Sequence, residues 1–474
     1  IIYNRYKGEL QERMTKETVK SIIVNVCRFV VATTFIFSGF VKAIDPIGTQ
    51  YKIHDYLAAV GMETLVPDYA TLSASVLLAA VEFCLGIFLL FAIRRRIVTR
   101  LVLAFMAVMT IITVWIAVAD PVKDCGCFGD ALILSNWQTL AKNLILLAAA
   151  IIVWREPRKM VRFISRTNQW IAINYTIIYS LATSTYCLYT LPVFDFRPYH
   201  VGADIRKGME IPEGAPQPEF ETTFTLKKNG VVKEFTLDNY PDSTWTFVDS
   251  KTTQVSEGYV PPIHDFSMED PSTGNDMTDE ILSDPGYTFL LVAPHLENAD
   301  DSNFGDINQI YDYATAHHYR FVGLTASNRK AMTRWSDMTG AEYSFLFTDE
   351  TTLKTIIRSN PGLLLIKRGV VIRKWSHNEL PQLTDESPAL DKIPEGSIPE
   401  ITVGQKILYT LLWFFMPLML LSLADRMWAW TKWVRKNKEG ETPQSPEPSE
   451  QSGQSGQSEE PERSGMSGQS PNNK

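Results

Sequence analysis

Apolar residues in this chain are gathered into blocks. Six stretches, near residues 21–43, 71–93, 101–119, 137–154, 170–192 and 405–423, approach the ~20 consecutive apolar residues that carry a helix across a ~30 Å hydrocarbon layer. The pattern predicts six transmembrane helices. Between the fifth and the sixth runs a polar stretch of roughly 200 residues, long enough for one or two soluble domains.

Within that stretch the pattern changes period. Residues 222–236 alternate apolar and polar on both sides of Asn229-Gly230, a dipeptide suited to a type I′ hairpin turn. From about residue 260, strand-like runs (287–294, 320–327, 344–349) alternate with helix-like ones (307–318, 328–338, 351–359), and two further strands (363–369, 370–376) close the series. This order predicts an α/β domain with helices packed on a mixed sheet.

Basic residues then orient the helices. Lys16 and Lys20, the group Arg94, Arg95, Arg96 and Arg100, the group Arg155, Arg158, Lys159, Arg162 and Arg166, and the group Arg426, Lys432, Arg435, Lys436 and Lys438 flank alternate ends of the six stretches. By the positive-inside rule all four regions are cytoplasmic, and loops 44–69, 120–136 and 194–403 face outward. Trp137, Trp154, Trp170, Trp413, Trp428 and Trp430 fall near the predicted interfaces, where an aromatic belt belongs.

Composition by itself conceals this organisation. Of the 474 residues 45% are hydrophobic, yet the mean hydropathy of −0.06 would suit a soluble protein. The net charge of −8 does not bear on orientation, and no basic patch interleaved with aromatics suggests nucleic acid. Beyond Lys438 the chain turns to Ser, Gly, Gln, Glu and Pro, the composition of a disordered cytoplasmic tail. The first apolar run is too long for a removable signal peptide and lacks its small-residue cleavage site; Met14 offers a start, which sets residues 1–13 apart. The expected order is a cytoplasmic flank (1–20), a four-helix membrane domain (21–154), a basic loop with the fifth helix (155–192), a β-rich segment (193–259), the α/β domain (260–400), the sixth helix (405–423), and a basic flank with the tail (424–474).

The candidate chemistry lies in 124-DCGCFGD-130, which holds two of the five cysteines. Cys27 and Cys84 fall inside predicted helices, where free cysteine acts as a small hydrophobe. Cys187, near the outward end of the fifth helix, is either another such residue or a resolving thiol. Cys125 and Cys127 face outward, which in a bacterial envelope is an oxidising compartment. A disulfide between residues i and i+2 closes a very small ring, and departure from relaxed geometry makes it easier to reduce. Lys123 favours a thiolate here while Asp124 and Asp130 oppose it, so local charge sets no direction. Among the histidines only His54 lies in a neighbouring outer loop, so no metal site is predicted. A purely structural pair stays open beside a redox one.

Ionisable groups inside the predicted helices are the remaining candidates. Glu82 lies near the middle of the second helix and Arg28 about two turns into the first, placed to pair. Lys142 and Asn143 enter the fourth helix from outside. Together with Lys42 these residues either hold the bundle together or form a quinone or proton site serving the cysteine pair.

Two resemblances arise from these residues. A strand ending in Ala293-Pro294, then Asn360-Pro361, then the last hairpin with Gly369 resemble the thioredoxin fold, whose cis-proline stands beside its active site. The dithiol of that fold would fall near residues 296–299, but 294-PHLENAD-300 has no cysteine. The resemblance therefore implies either a partner-binding groove at His295 and Pro361 or a spacer. Over residues 20–155, Arg28, Gly39 and Lys42 leading into Asp45-Pro46, then Glu82 and Gly86, the DCGCFG loop, and Trp137 with Lys142-Asn143 resemble the DoxX-like family, in particular its MauE branch. That resemblance implies a role in redox maturation: MauE-type proteins are associated with assembly of a disulfide-rich methylamine dehydrogenase subunit, and other DoxX relatives with quinone-linked sulfur oxidation. No residue here points to methylamine.

The expected molecule is an α-helical transmembrane bundle, a four-helix DoxX-like core plus two further helices, bearing an outward α/β thioredoxin-like domain. It would lie in a bacterial inner membrane with both termini cytoplasmic and residues 193–403 periplasmic. The expected function is a thiol–disulfide redox or maturation factor using Cys125 and Cys127, with quinone as the candidate acceptor and a periplasmic thiol protein or assembly client as partner. The competing expectation is a non-enzymatic membrane scaffold whose dithiol-less domain binds an envelope partner.

Overall fold

The computed structural model describes residues 2–122, 125–216, 219–228, 231–236, 239, 245–256 and 258–440. The Asn229-Gly230 turn, Lys123, Asp124 and the tail beyond 440 lie outside them. The chain divides into two compact units, Ile1–Ser422 and Leu423–Lys474, and the first carries the bundle, both sheets and the candidate chemistry.

The amino-terminal part of the first unit is a helical bundle of α1 (Ile2–Ile44), α3 (Asp68–Leu90), α4 (Arg95–Ala119) and α5 (Asn136–Arg155), with the shorter α2 (Pro46–Ala59) between the first two and α6 (Gln169–Tyr189) after them. Glycines bring α1 and α3 together. A Cβ on Gly39 would lie 2.3 Å from the Phe83 nitrogen, and one on Gly86 2.7 Å from that of Ile36. Those two contacts also fix the helices as antiparallel, with Gly39 level with Phe83. Val31, Ala32 and Phe35 of α1 pack with Leu85 and Leu89 of α3, Val102 and Met106 of α4, and Leu146 and Ala150 of α5. On the other side of α3, Phe83 and Ile87 meet Ala172 of α6 and Phe414 and Leu418 of α12 (Val403–Gly440).

Five helices, α1, α3, α4, α5 and α12, are long and apolar enough to cross a membrane. The sixth expected span, α6, is a 21-residue helix that falls short of that apolarity because it buries a hydroxyl face, Thr176, Ser180 and Ser184. It nevertheless runs the full height of the bundle. Gln169 at its start accepts from the Arg94 N–H, and the Tyr189 carbonyl at its end accepts from Ser376 and Asn378 of the α/β domain.

Strands β1 (Glu219–Lys228), β2 (Val231–Thr236) and β3 (Thr246–Ser256) form an antiparallel sheet in the order β2-β1-β3. Beside α7 (Ile205–Met209) and α8 (Thr278–Ser283) stands the larger sheet: β4 (Tyr287–Val292), β5 (Arg320–Thr325), β6 (Phe345–Phe347), β7 (Gly362–Lys367) and β8 (Val370–Ser376). Its order is β6-β5-β4-β7-β8, with β4, β5 and β6 mutually parallel and β7 and β8 antiparallel to their neighbours. Alternate side chains feed two cores. Phe289, Leu291 and Leu363 meet α9 (Phe304–Ala316) and α10 (Arg329–Thr339), while Leu290, Val292 and Leu364 meet α8 and α11 (Glu350–Ile356). A central strand covered on both faces has to be apolar throughout, and β4 is buried at every position. The Asn360-Pro361 peptide is cis.

Candidate functional site: a cysteine pair beneath an interdomain cavity

The α1–α3 register sets Glu82 beside the last turns of α1. Lys42 Nζ lies 2.7 Å from Glu82 Oε2, 2.6 Å from Ser38 Oγ and 2.7 Å from the carbonyl oxygen of Cys127. An ammonium has three protons, and these three acceptors use them all. Both ionic side chains are 5% exposed, so the pair is dry. Ser38 Oγ, having accepted from Lys42, has one proton for either Glu82 Oε2 at 2.8 Å or the Cys127 carbonyl at 2.7 Å. A buried ion pair thus holds the backbone of the cysteine loop.

The loop is pinned at further points. Tyr56 of α2 donates to the Cys125 carbonyl at 2.6 Å, and Asn136 Nδ2 donates to Asp120 Oδ1 at 2.7 Å and the Val122 carbonyl at 2.9 Å. Gly126 turns the chain at φ +63°, with the Lys52 stem so close that a Cβ would meet its Cγ at 2.9 Å. Phe128 packs on Phe37 and beneath the ammonium of Lys142, 4.2 Å from the ring centroid. The result is that Cys125 Sγ and Cys127 Sγ stand as two thiols 3.0 Å apart. The hydrogen bond shared with Cys125 holds the Cys127 thiol below the ordinary range against the effect of burial, with Lys142 and Lys42 adding to it. Cys125 is pushed up by the same bond and by its burial.

The α/β domain reaches this loop through one arginine. Arg358, just after α11, places Nε 3.1 Å from both carboxylate oxygens of Asp45 and Nη2 3.3 Å from Asp130 Oδ2, and lies over the Tyr51 ring. Burial opposes its charge, but Asp45 and Asp130 outweigh burial and keep it protonated. Asp45 also caps α2 by accepting from the Gly48 N–H. Between the domains lies a cavity of ≈ 910 Å³ whose walls include Lys52, Gly126 and Asp130 on one side and His295, Asn298 and Lys354 on the other. A smaller hollow, lined by Thr34, Phe105, Cys127, Phe128, Lys142 and Asn143, lies behind the loop.

These positions join some sequence candidates and separate others. Cys125, Cys127, Lys42, Glu82, Lys142 and Asn143 gather at one end of the bundle, and His295 faces the same loop across the cavity. The expected Arg28–Glu82 pair does not form. Arg28 sits 14 residues, roughly 21 Å of helix, before Lys42; there it donates to Asn25 and to the Val161 and Leu90 carbonyls. Of the two expected groove residues, His295 lines the cavity and Pro361 does not. Pro361 is buried at the head of β7, and Asn360 ties back to the His295 carbonyl. Cys187 packs with Ile44 and Phe194, Cys84 is buried, Cys27 is half-buried in the bundle, and His54 contacts Thr71 and Asp68. Ser38, Tyr56, Lys52 and Arg358 are participants that sequence reasoning missed. The carboxylates of Asp45 and Asp130, both in predicted outer loops, signal that a cation is needed; which one, 313 residues along the chain from Asp45, has no local mark.

Fold and site together define a membrane protein in which a helical bundle carries a cysteine loop whose Gly126 and Asp130 line a cavity roofed by an α/β domain. Residues 20–155 match the family model described as "Methylamine utilisation protein MauE", and so form a MauE-type domain. Residues 220–257 match a domain of unknown function, DUF8463. No curated protein and no solved structure matches the chain.

Proposed function

We propose that this protein is an inner-membrane thiol–disulfide redox or maturation factor in which Cys125 and Cys127 exchange with a cysteine-bearing envelope partner admitted to the cavity. The observation that carries the reading is the contact of two sulfurs at 3.0 Å in a loop held by a buried ion pair and opening, through Gly126, on a cavity of ≈ 910 Å³. That volume is in the range of ligand sites and takes a short extended segment. The basic flanks support an orientation with both termini cytoplasmic and the cavity periplasmic. The order β6-β5-β4-β7-β8 supports the thioredoxin-like reading of the roof. At the position of the family's dithiol this chain has His295–Asn298, which forms a wall opposite the cysteine loop in place of a second redox centre.

The hollow behind the loop, at ≈ 30 Å³, has room for about one water and not for a quinone ring, although its lining carries groups of the kind a quinone would need. Quinone carbonyls need hydrogen-bond donors and the ring needs flat apolar walls; Lys142 and Asn143 supply the first, Phe105 and Phe128 the second. A second reading, the non-enzymatic scaffold, draws on the burial of Cys125, which is 8% exposed.

Acid-quenched membranes labelled with a bulky maleimide separate the two readings, with Cys125→Ser and Cys127→Ser as references. We expect a mixed population that shifts with added reductant, and a mixed disulfide caught in one single variant. A pair fixed in one state, with no trapped partner under any condition, would leave the scaffold.

A further inference from the structure

We propose that the two sulfurs have fixed and unequal roles: Cys125 takes the partner's sulfur, Cys127 leaves as thiolate, and Lys142 is the positioning residue that makes the choice. The inference rests on the oxidoreductase reading above and deepens it. It starts from the difference between the two lysines near the loop. Lys42 is saturated by Glu82, Ser38 and the Cys127 carbonyl, whereas Lys142 is paired with no carboxylate among the described residues. Its ammonium lies over Phe128, the residue following Cys127, and lines the same hollow as Cys127. Cys125 is absent from that hollow, and its carbonyl accepts from Tyr56 of α2. The groups facing Cys127 are thus Lys42 from α1, Glu82 from α3, Lys142 from α5 and Cys125 in the loop, and the one cation among them not already neutralised is Lys142.

In exchange the electron pair of the broken S–S bond goes to the leaving sulfur, and the lower the pKa of that thiol the faster it leaves. Starting from the Cys125–Cys127 disulfide, a partner thiolate attacks Cys125 Sγ and forms a partner–Cys125 disulfide, while the bond to Cys127 breaks and its electron pair stays on Cys127 as thiolate beside Lys142. A second partner thiolate then attacks the partner sulfur, releasing Cys125 with the electron pair; Cys125 takes up one proton. The partner is oxidised to its disulfide and the pair is reduced by two electrons. The direction of attack is set by which sulfur has a cation waiting.

The test uses the full chain in native membranes with the pair oxidised, reduced glutathione as the attacking thiol, acid quenching, and mass spectrometry of the peptide that holds both cysteines. We expect glutathione on Cys125 over Cys127 by about tenfold or more. Lys142→Met should bring the ratio towards one, and Lys142→Arg, which keeps the charge, should preserve it; the Arg variant separates loss of charge from damage to the fold. Equal adducts in the unmodified chain, or a majority on Cys127, would overturn the assignment of roles while leaving the oxidoreductase reading in place. A pair that never forms a disulfide and takes no adduct at either position would overturn both.

Discussion

Arg358 of the α/β domain and Asp130 of the cysteine loop are joined at 3.3 Å, three residues from Cys127, through a guanidinium that also grips Asp45. The domain therefore braces the loop. Arg358→Gln leaves Asp45 and Asp130 facing each other without a cation. Asp130 is 40% exposed and Asp45 20%, so part of the cost is screened, and a loss of about 2 kcal/mol is expected. Thermal unfolding of the solubilised chain and hydrogen exchange over residues 125–131 measure it. An unchanged midpoint with unchanged exchange would show that the loop stands without the domain.

The Lys42–Glu82 pair predicts an asymmetry between single and double variants. Lys42→Met leaves a buried carboxylate alone and takes a donor from both Ser38 and the Cys127 carbonyl, for about 3–5 kcal/mol. Lys42→Met combined with Glu82→Met removes both charges and should recover most of that loss. Urea titration of the three solubilised proteins decides; additive losses would mean that the two charges do not act on each other.

Much of this architecture is legible in the sequence. Blocked hydrophobicity marks the bundle, a fully apolar run marks β4, and the alternation from 287 to 376 marks the mixed sheet, because burial on one or both faces writes itself directly into residue type. The α6 helix is legible as a helix, whereas its buried Ser180 and Ser184 lower its apolarity without shortening it. Pairings are less legible, since they depend on register. Arg28 and Glu82 are both membrane ions and look matched in sequence, yet the Gly39–Phe83 contact puts Lys42 at the right height. Arg358 is the extreme case: nothing about a basic residue after a short helix says which surface it will meet.

Gly126 predicts a local effect. Its φ of +63° costs an L residue about 1–2 kcal/mol, and a Cβ would press on Lys52. Gly126→Ala should destabilise the loop and speed maleimide labelling of Cys125 and Cys127. Adding Lys52→Ala should relieve the contact and leave the backbone cost, so labelling stays faster than in the unmodified chain. Labelling at the original rate in Gly126→Ala would place the turn elsewhere.

Asp195 predicts an acid limb of stability. Against the effect of burial, Lys374 at 2.8 Å and Arg197 at 2.7 Å hold its carboxyl well below the usual range. A depressed carboxylate contributes fully above its unfolded pKa, about 3.9, and loses that contribution as pH falls through the folded value. Asp195→Asn should therefore flatten the decline in stability below pH ~4. Identical acid limbs in the two proteins would assign the decline to other carboxylates.

The thiols predict a split titration. Cys127 is held below the ordinary thiol value of about 8.5 by its hydrogen bond with Cys125 and by Lys142 and Lys42, while Cys125 is pushed up by the same bond and by burial. Alkylation follows thiolate, so in the reduced chain iodoacetamide should modify Cys127 first as pH rises, and Cys125 only well above it. Cys125→Ala removes the sulfur contact and should move the Cys127 midpoint upward; Lys142→Met should do so again. The same sign applies to stability: the contribution from Cys127 is fully present above its unfolded pKa and lost as pH falls through its folded one. Residue-resolved alkylation across the range from weakly acidic to alkaline pH checks each step, and coincident midpoints for the two thiols would mean that the 3.0 Å contact does not polarise the pair.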